Sequence, residues 1–254
     1  MTAADSLWSP PPADLVLLSN EVHVWRVPLD LTASCVQRLQ RVLSADEVAR
    51  AARFYFHKDR QHFIVARGVL RTILGRYLGV EPRQLCFCYS YYGKPALLPT
   101  SGGARFRFNL SHSHQLALYA VTCGREVGID IEYIRTDFVC KEIAAQFFSP
   151  RENVMLEALP AHLKHQAFFN CWTRKEAYIK AHGEGLSLPL DQFDVSLTPG
   201  EPAALLATRG DAHEASRWSL RELTPGPGYV GTLAVEGHDW HFTCWQWLWE
   251  GETV

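Results

Sequence analysis

The chain has 254 residues, 47% hydrophobic and 20% charged, with a formal net charge of −2. That length and balance describe one large globular domain or two smaller ones, and the near-neutral charge argues against a general nucleic-acid binder. The seven cysteines form no C-x-x-C pair, and Cys86 and Cys88 alternate across an expected strand. Neither a disulfide framework nor a zinc site is expected, and a reducing cytoplasm fits. The N-terminus lacks a basic stretch, Pro10, Pro11 and Pro12 interrupt it, and no apolar run reaches membrane-spanning length. A signal peptide and a membrane association are therefore not expected.

Residues 1 to about 20 read as a loose arm. Glu21 to Val27 alternates as a strand, with Val22 and Val24 on one side and His23, Trp25 and Val27 on the other. Ser44 and Glu47 form a capping box that opens a helix, with Val48, Ala51, Ala52 and Tyr55 as its inner face. The spacing predicts a longer helix from about Asp59 to Leu78, closed by Gly79. Arg60, Arg67 and Arg71 recur on it at intervals of seven and four and form a basic stripe. Either a solvated face or a seat for phosphates or an acidic partner accounts for that stripe.

Leu85 to Tyr91 is an aromatic strand, and Tyr92-Gly-Lys-Pro95 is a turn with Lys94 at its tip. Arg105 to Leu110 alternates, with Phe106, Phe108 and Leu110 on one side, and Gln115 to Thr122 is the next strand. A hairpin follows whose turn would hold Ser111, His112, Ser113 and His114. Val127 to Glu132 is a short strand, and its period of two sets Asp130 and Glu132 on one face. Adjacent carboxylates repel, which favours a cation between them; an edge strand with a wet acidic face is the plainer account.

A helix from about Val139 to Phe148 is followed by Ser149-Pro-Arg-Glu152, a capping box with proline at the first helical position. A helix of about His162 to His182 carries Trp172, Glu176 and Lys180 at i, i+4 and i+8 and stops at Gly183. Taken alone, Glu176 and Lys180 read as a solvent-facing ion pair before they read as placed chemistry. Four further strands are expected at 192–197, 217–222, 229–235 and 240–248. A faint echo links the run Arg53 to Asp59 with Gln146 to Glu152, which suggests two similar halves. Three carboxylates without cysteine or clustered histidine suit Mg²⁺ before Zn²⁺, and Mg²⁺ shares its shell with phosphates.

Five motifs carry a resemblance: Tyr92-Gly-Lys-Pro95, Phe108-Asn-Leu-Ser-His-Ser113, Gly128-Ile-Asp-Ile-Glu132, Phe147-Phe-Ser-Pro-Arg-Glu152 and Trp172-Thr-Arg-Lys-Glu-Ala-Tyr-Ile-Lys180. In this order they resemble the 4'-phosphopantetheinyl transferase family in its larger, surfactin-synthetase-activating type. The resemblance implies an α+β fold: a monomer of two similar α/β halves in pseudo-twofold arrangement, with the active site in the cleft between them. Residues 1–126 would form the N-terminal half, on the adenosine and 3'-phosphate side of coenzyme A, and 127–254 the C-terminal half with the metal and the catalytic helix. It implies Mg²⁺-dependent transfer of the 4'-phosphopantetheine arm from coenzyme A to a serine of an apo acyl or peptidyl carrier protein, releasing 3',5'-ADP.

By motif match, Asp130, Glu132 and Glu176 hold Mg²⁺, Lys180 contacts the pyrophosphate, and Ser111 and His112 face the 3'-phosphate. Lys94 lies beside the adenosine, and Arg50 is a further phosphate contact. Glu176 is the candidate base for the serine, and Lys180 the group that steadies the leaving 3',5'-ADP. The segment between Ile134 and Phe147, expected near the carrier-docking surface, carries no motif. Two other functions use the same residues: a Mg²⁺-dependent hydrolase of nucleotide pyrophosphates, and a module that binds carriers without turnover. Coenzyme A consumed without a carrier marks the first, and a carrier complex without mass change marks the second.

Overall fold

The computed structural model describes residues 7–98, 105–135, 140–183, 185–211 and 213–249. The first half begins with strand β1 (Glu21–Pro28) and helices α1 (Ala33–Gln40), α2 (Ala45–Ala51) and α3 (His57–Leu78). The short hairpin of β2 (Phe87–Tyr89) and β3 (Pro95–Leu97) and the long hairpin of β4 (Phe106–Ser113) and β5 (Leu116–Cys123) follow. The same order then recurs: β6 (Val127–Tyr133), α4 (Cys140–Phe147), α5 (Pro150–Ala158), α6 (Ala161–His182), then β7 (Phe193–Val195) with β8 (Leu205–Thr208), and β9 (Trp218–Leu223) with β10 (Tyr229–Glu236). A final strand, β11 (His241–Gln246), returns to the first half.

The pairing repeats as well. One sheet runs β11-β1-β5-β4 and the other β6-β10-β9, so β1-β5-β4 is matched by β6-β10-β9, antiparallel throughout. β11 lies parallel to β1, so the C-terminal strand belongs to the N-terminal sheet. Each long helix has 22 residues and ends on a left-handed glycine, Gly79 or Gly183, where a side chain would be strained. One apolar cluster packs α3 on the first sheet and a second surrounds α6. A third lies between the sheets and takes Val22 and Val24 from β1, Leu118 and Ala120 from β5, and Ile129 and Ile131 from β6.

The internal echo sits in another register from the one expected. The matching starts are Ser44–Glu47 and Ser149–Glu152, both capping boxes. Each glutamate also turns inward to a cation on the following long helix. Glu47 meets Arg71 at 2.6 Å and Arg67 at 3.2 Å, and Glu152 meets Lys175 at 2.8 Å. Arg71 and Lys175 hold the same place counted from each helix start, and each donates to two backbone carbonyls beyond its helix: Pro82 and Leu85, or Leu190 and Phe193.

Three expectations change. Arg67 and Arg71 are buried, so no basic stripe exists; of the three only Arg60 is exposed. Val48 and Tyr55 are exposed, and the inner face of α2 is Glu47 and Ala51, because Glu47 has the arginines to meet. The N-terminal arm is fastened from Trp8 onward: its ring is buried, its Nε1 donates to the Thr224 carbonyl, and Ser9 bridges Trp245. Val139 and residues 1–6 lie outside the described residues.

Candidate active site

The two sheets meet edge to edge where β4 runs beside β6, and side chains of β4 stitch the junction. Asn109 Oδ1 accepts the Ile129 amide at 2.9 Å, Ser111 Oγ donates to Asp130 Oδ1 at 2.8 Å, and Ser113 Oγ donates to Glu132 Oε2 at 2.8 Å. These three residues alternate with Phe108 and Leu110, which face the core over α3. The strand period is thus divided between packing and the site. Ser111, His112 and Ser113 belong to β4 itself, and the turn is only His114 and Gln115. Strand formation wins there because β4 and β5 pair in register as far as Ser113 and Leu116.

Helix α6 crosses the other side of β6. Gly128 permits the approach: a Cβ there would overlap the Ala177 carbonyl oxygen and the Ala181 backbone nitrogen. One helical turn is thereby brought down on the acids. Lys180 Nζ lies 2.6 Å from Asp130 Oδ1 and 3.0 Å from Ser111 Oγ. Glu176 is one turn earlier on the same face. Burial pushes its carboxyl up to about 7, with the Asp130 charge adding and Lys180 opposing. Burial, and then Asp130, raises Glu132 too. Trp172 packs on Phe147 and Phe168 and sets the rotation of the helix.

The structure therefore gathers Asp130, Glu132, Glu176, Lys180 and Ser111. His112 is adjacent in sequence but faces the opposite way. It lines a cavity of about 490 Å³ with Phe54, Lys58, His62 and Ser113. Burial lowers its pKa, and the nearby His62 and Lys180 add to the effect. Arg50 stays exposed on α2, its guanidinium over the Phe63 ring at 5.4 Å, and Phe63 lines that cavity. Lys94 is not free at its turn. Its ammonium donates to Glu126 Oε2 at 3.2 Å and to the Ala181 carbonyl at 3.0 Å.

Reading the chain missed Asn109, Ser113 and His62. Asn109 and Ser113 carried a signal: they stand two residues either side of Ser111, hence on its face. His62 had none, since Asp30, its partner at 2.7 Å, comes from a distant loop.

Among the described residues no group of three or more His, Cys, Asp or Glu side chains stands ready to hold a metal. Lys180 and Ser111 both donate to Asp130 Oδ1. The donors nevertheless suit a hard cation. All are carboxylate oxygens, and Asp130 Oδ2 is buried with no partner.

Comparison with known proteins decides the family. A model of the 4'-phosphopantetheinyl transferase superfamily matches residues 126–234, and one of 4'-phosphopantetheinyl transferase, N-terminal, matches 31–124. The 4'-phosphopantetheinyl transferase HetI of Nostoc sp. (strain PCC 7120 / SAG 25.82 / UTEX 2576) is 47% identical over 94% of this chain and 97% of its own. The chain belongs to the 4'-phosphopantetheinyl transferase superfamily. As an enzyme of that class it transfers the phosphopantetheine arm of coenzyme A to carrier proteins. The transferase is also 30% identical to 4'-phosphopantetheinyl transferase Sfp of Bacillus subtilis (strain 168), over 75% of this chain and 81% of that one. It is 32% identical to a putative 4'-phosphopantetheinyl transferase, slr0495, of Synechocystis sp. (strain ATCC 27184 / PCC 6803 / Kazusa), over 78% of each. No helix among the described residues is long and apolar enough to cross a membrane.

Proposed function

We propose that the junction of β4, β6 and α6 is the transfer site and that transfer depends on Mg²⁺, releases 3',5'-ADP and is carried out by a monomer in the cytoplasm. The observation that carries this is Asp130: one oxygen is shared by Lys180 and Ser111, and the other is buried without a partner. Asp130, Glu132 and Glu176 would hold the ion. Mg²⁺ bound there would neutralise pyrophosphate charge and supply a Lewis acid.

The chain's own residues supply the rest. Lys180 binds the pyrophosphate and steadies the charge that gathers on the departing 3',5'-ADP. Glu176, one turn from Lys180 and beside the acids, takes the proton of the acceptor serine, directly or through water. The serine oxygen bonds to the phosphorus that carries the pantetheine, and the bond from that phosphorus to 3',5'-ADP breaks. His112 and the cavity beside it receive the 3'-phosphate, with Lys58 and His62 on its walls and Arg50 nearby. Residues 1–126 then serve the adenosine and 3'-phosphate end, and 127–254 supply the acids and Lys180. Ser111 serves the acids rather than the 3'-phosphate, since it faces away from His112.

Intact-mass measurement of a panel of apo carrier domains, incubated with coenzyme A with and without Mg²⁺, tests the assignment. One phosphopantetheine per carrier, only with the ion, is expected. Coenzyme A hydrolysed without a carrier would replace it with the pyrophosphate hydrolase, and a complex without mass change with the binding module.

A further inference from the structure

Lys94 stands where the motif match expects a contact to the substrate, yet the protein itself uses its ammonium. We propose that Lys94 is a positioning residue, a latch that ties the Tyr92–Pro95 turn to the end of α6, and not a direct contact to the nucleotide; the inference rests on the transferase reading above. Its Nζ donates to Glu126 Oε2 at 3.2 Å, to the Ala181 carbonyl at 3.0 Å and to the Val127 carbonyl at 3.4 Å. An ammonium has three N–H donors, and three acceptors surround this one.

Those acceptors belong to separate elements. Ala181 lies in the last turn of α6, where carbonyls lack intrahelical partners and a cation complements the helix dipole. Val127 opens β6, three residues before Asp130. Glu126 is itself gripped by Arg107 of β4, with Nε 2.9 Å from Oε1. The latch thus joins the β2–β3 hairpin to the strand and the helix that carry the acids and Lys180. Gly185 leaves room for the turn: a Cβ there would stand 3.3 Å from Tyr92 Cβ. Above the seat is a cavity of about 210 Å³ bounded by Tyr92, Asn109, Lys180 and Gly185, so the latch sets its width beside Lys180.

Burial lowers the Lys94 pKa and Glu126 opposes it, as for an ammonium committed to internal partners. Swinging it out to a phosphate would strip an ion pair and bare a helix-end carbonyl.

The test titrates coenzyme A and 3'-dephospho-coenzyme A into wild type, Lys94→Met and Glu126→Gln by calorimetry, and measures KM for coenzyme A and for a purified apo carrier domain. A latch predicts that Lys94→Met weakens both nucleotides by the same factor, about tenfold, and leaves the carrier KM unchanged. Glu126→Gln loosens the same seat and weakens both in the same direction. A direct contact to the nucleotide predicts otherwise: Glu126→Gln would free the ammonium and tighten coenzyme A, and, were the contact to the 3'-phosphate, Lys94→Met would also erase the preference for coenzyme A. Either of those results, or unchanged affinity in both variants, overturns the latch. If Lys94→Met fails to fold, the sign of the Glu126→Gln effect decides. Wild type that transfers no arm would sink the transferase reading; wild type that transfers, with a tighter Glu126→Gln, sinks only the latch.

Discussion

Lys180 Nζ and Asp130 Oδ1 stand 2.6 Å apart, and this contact fastens the last turns of α6 to the middle of β6. It sets a cation and an acid that would both meet the pyrophosphate against each other. Asp130→Ala is expected to leave the fold intact and reduce Mg²⁺-dependent transfer by a factor on the order of 10³, since several kcal/mol of charge stabilisation go with it. Lys180→Ala is expected to lower kcat by about 10²-fold and leave the carrier KM unchanged. Steady-state kinetics on both variants, with circular dichroism as the control for folding, check this. Wild-type rates in Asp130→Ala would remove the metal assignment.

Ser111 and His112 are neighbours on β4 whose side chains face opposite ways, so their variants should differ in kind. His112→Ala is expected to raise KM for coenzyme A by about tenfold, the loss of one bond to a charged group, and to leave 3'-dephospho-coenzyme A unaffected. Ser111→Ala is expected to lower kcat with both nucleotides, because it releases Asp130 and Lys180. Matched effects of the two variants on the two nucleotides would show that both residues face one phosphate.

Gly128 lets α6 press on β6. Gly128→Ala is expected to destabilise the protein by about 1–3 kcal/mol, the usual range for overpacking, and to cut kcat by more than the unfolded fraction explains. Denaturant melts beside single-turnover rates separate the two effects. Activity that tracks stability alone would mean the spacing of helix and strand has no part in the chemistry.

The buried pairs Glu47–Arg71 and Glu152–Lys175 hold the two halves' helices in matching ways. Removing one partner strands a buried charge, so Arg71→Ala and Lys175→Ala are each expected to cost about 3–5 kcal/mol. Arg67→Glu should do comparable harm by facing Glu47 with a like charge. Thermal melts check these values, and a stable Arg67→Glu protein with weakened carrier binding would restore a surface role for that arginine.

His23 is buried between Tyr77 and Trp245. Burial pulls its pKa from the ordinary 6.5 down to about 4, against the pull of Glu21. The unfolded chain therefore binds a proton between these values that the folded chain does not. Its contribution is whole above pH 6.5 and lost as pH falls towards 4, to a total of up to about 3 kcal/mol. Unfolding free energies from pH 4 to 7 should rise less steeply in His23→Gln than in wild type; identical slopes would exclude the residue.

Much of the fold was legible because it is written in local periods and punctuation. Alternation placed β1, β4 and β6, both capping boxes opened helices, and Gly79 and Gly183 closed helices where left-handed backbone is needed. β8 escaped because its four residues, Leu205–Thr208, are too short to show a period. The repeat was seen but set in the wrong register. The aromatic run Phe54–Phe56 suggests one register, whereas the repeated feature is a buried ion pair formed by residues distant in sequence.

The sequence by itself determined which acids share a strand face, that Glu176 and Lys180 share a helix face, and that the motif order matches one family. Those facts depend on periods of two and 3.6, which any stretch of backbone enforces locally. Only the tertiary structure decided which charges meet. It turned Arg67 and Arg71 inward to Glu47, gave the Lys94 ammonium to Glu126 and a helix-end carbonyl, and divided Ser111 from His112. A charge in sequence carries no partner; burial makes an unpaired one too costly, and the partner that burial demands comes from wherever packing brings another chain segment.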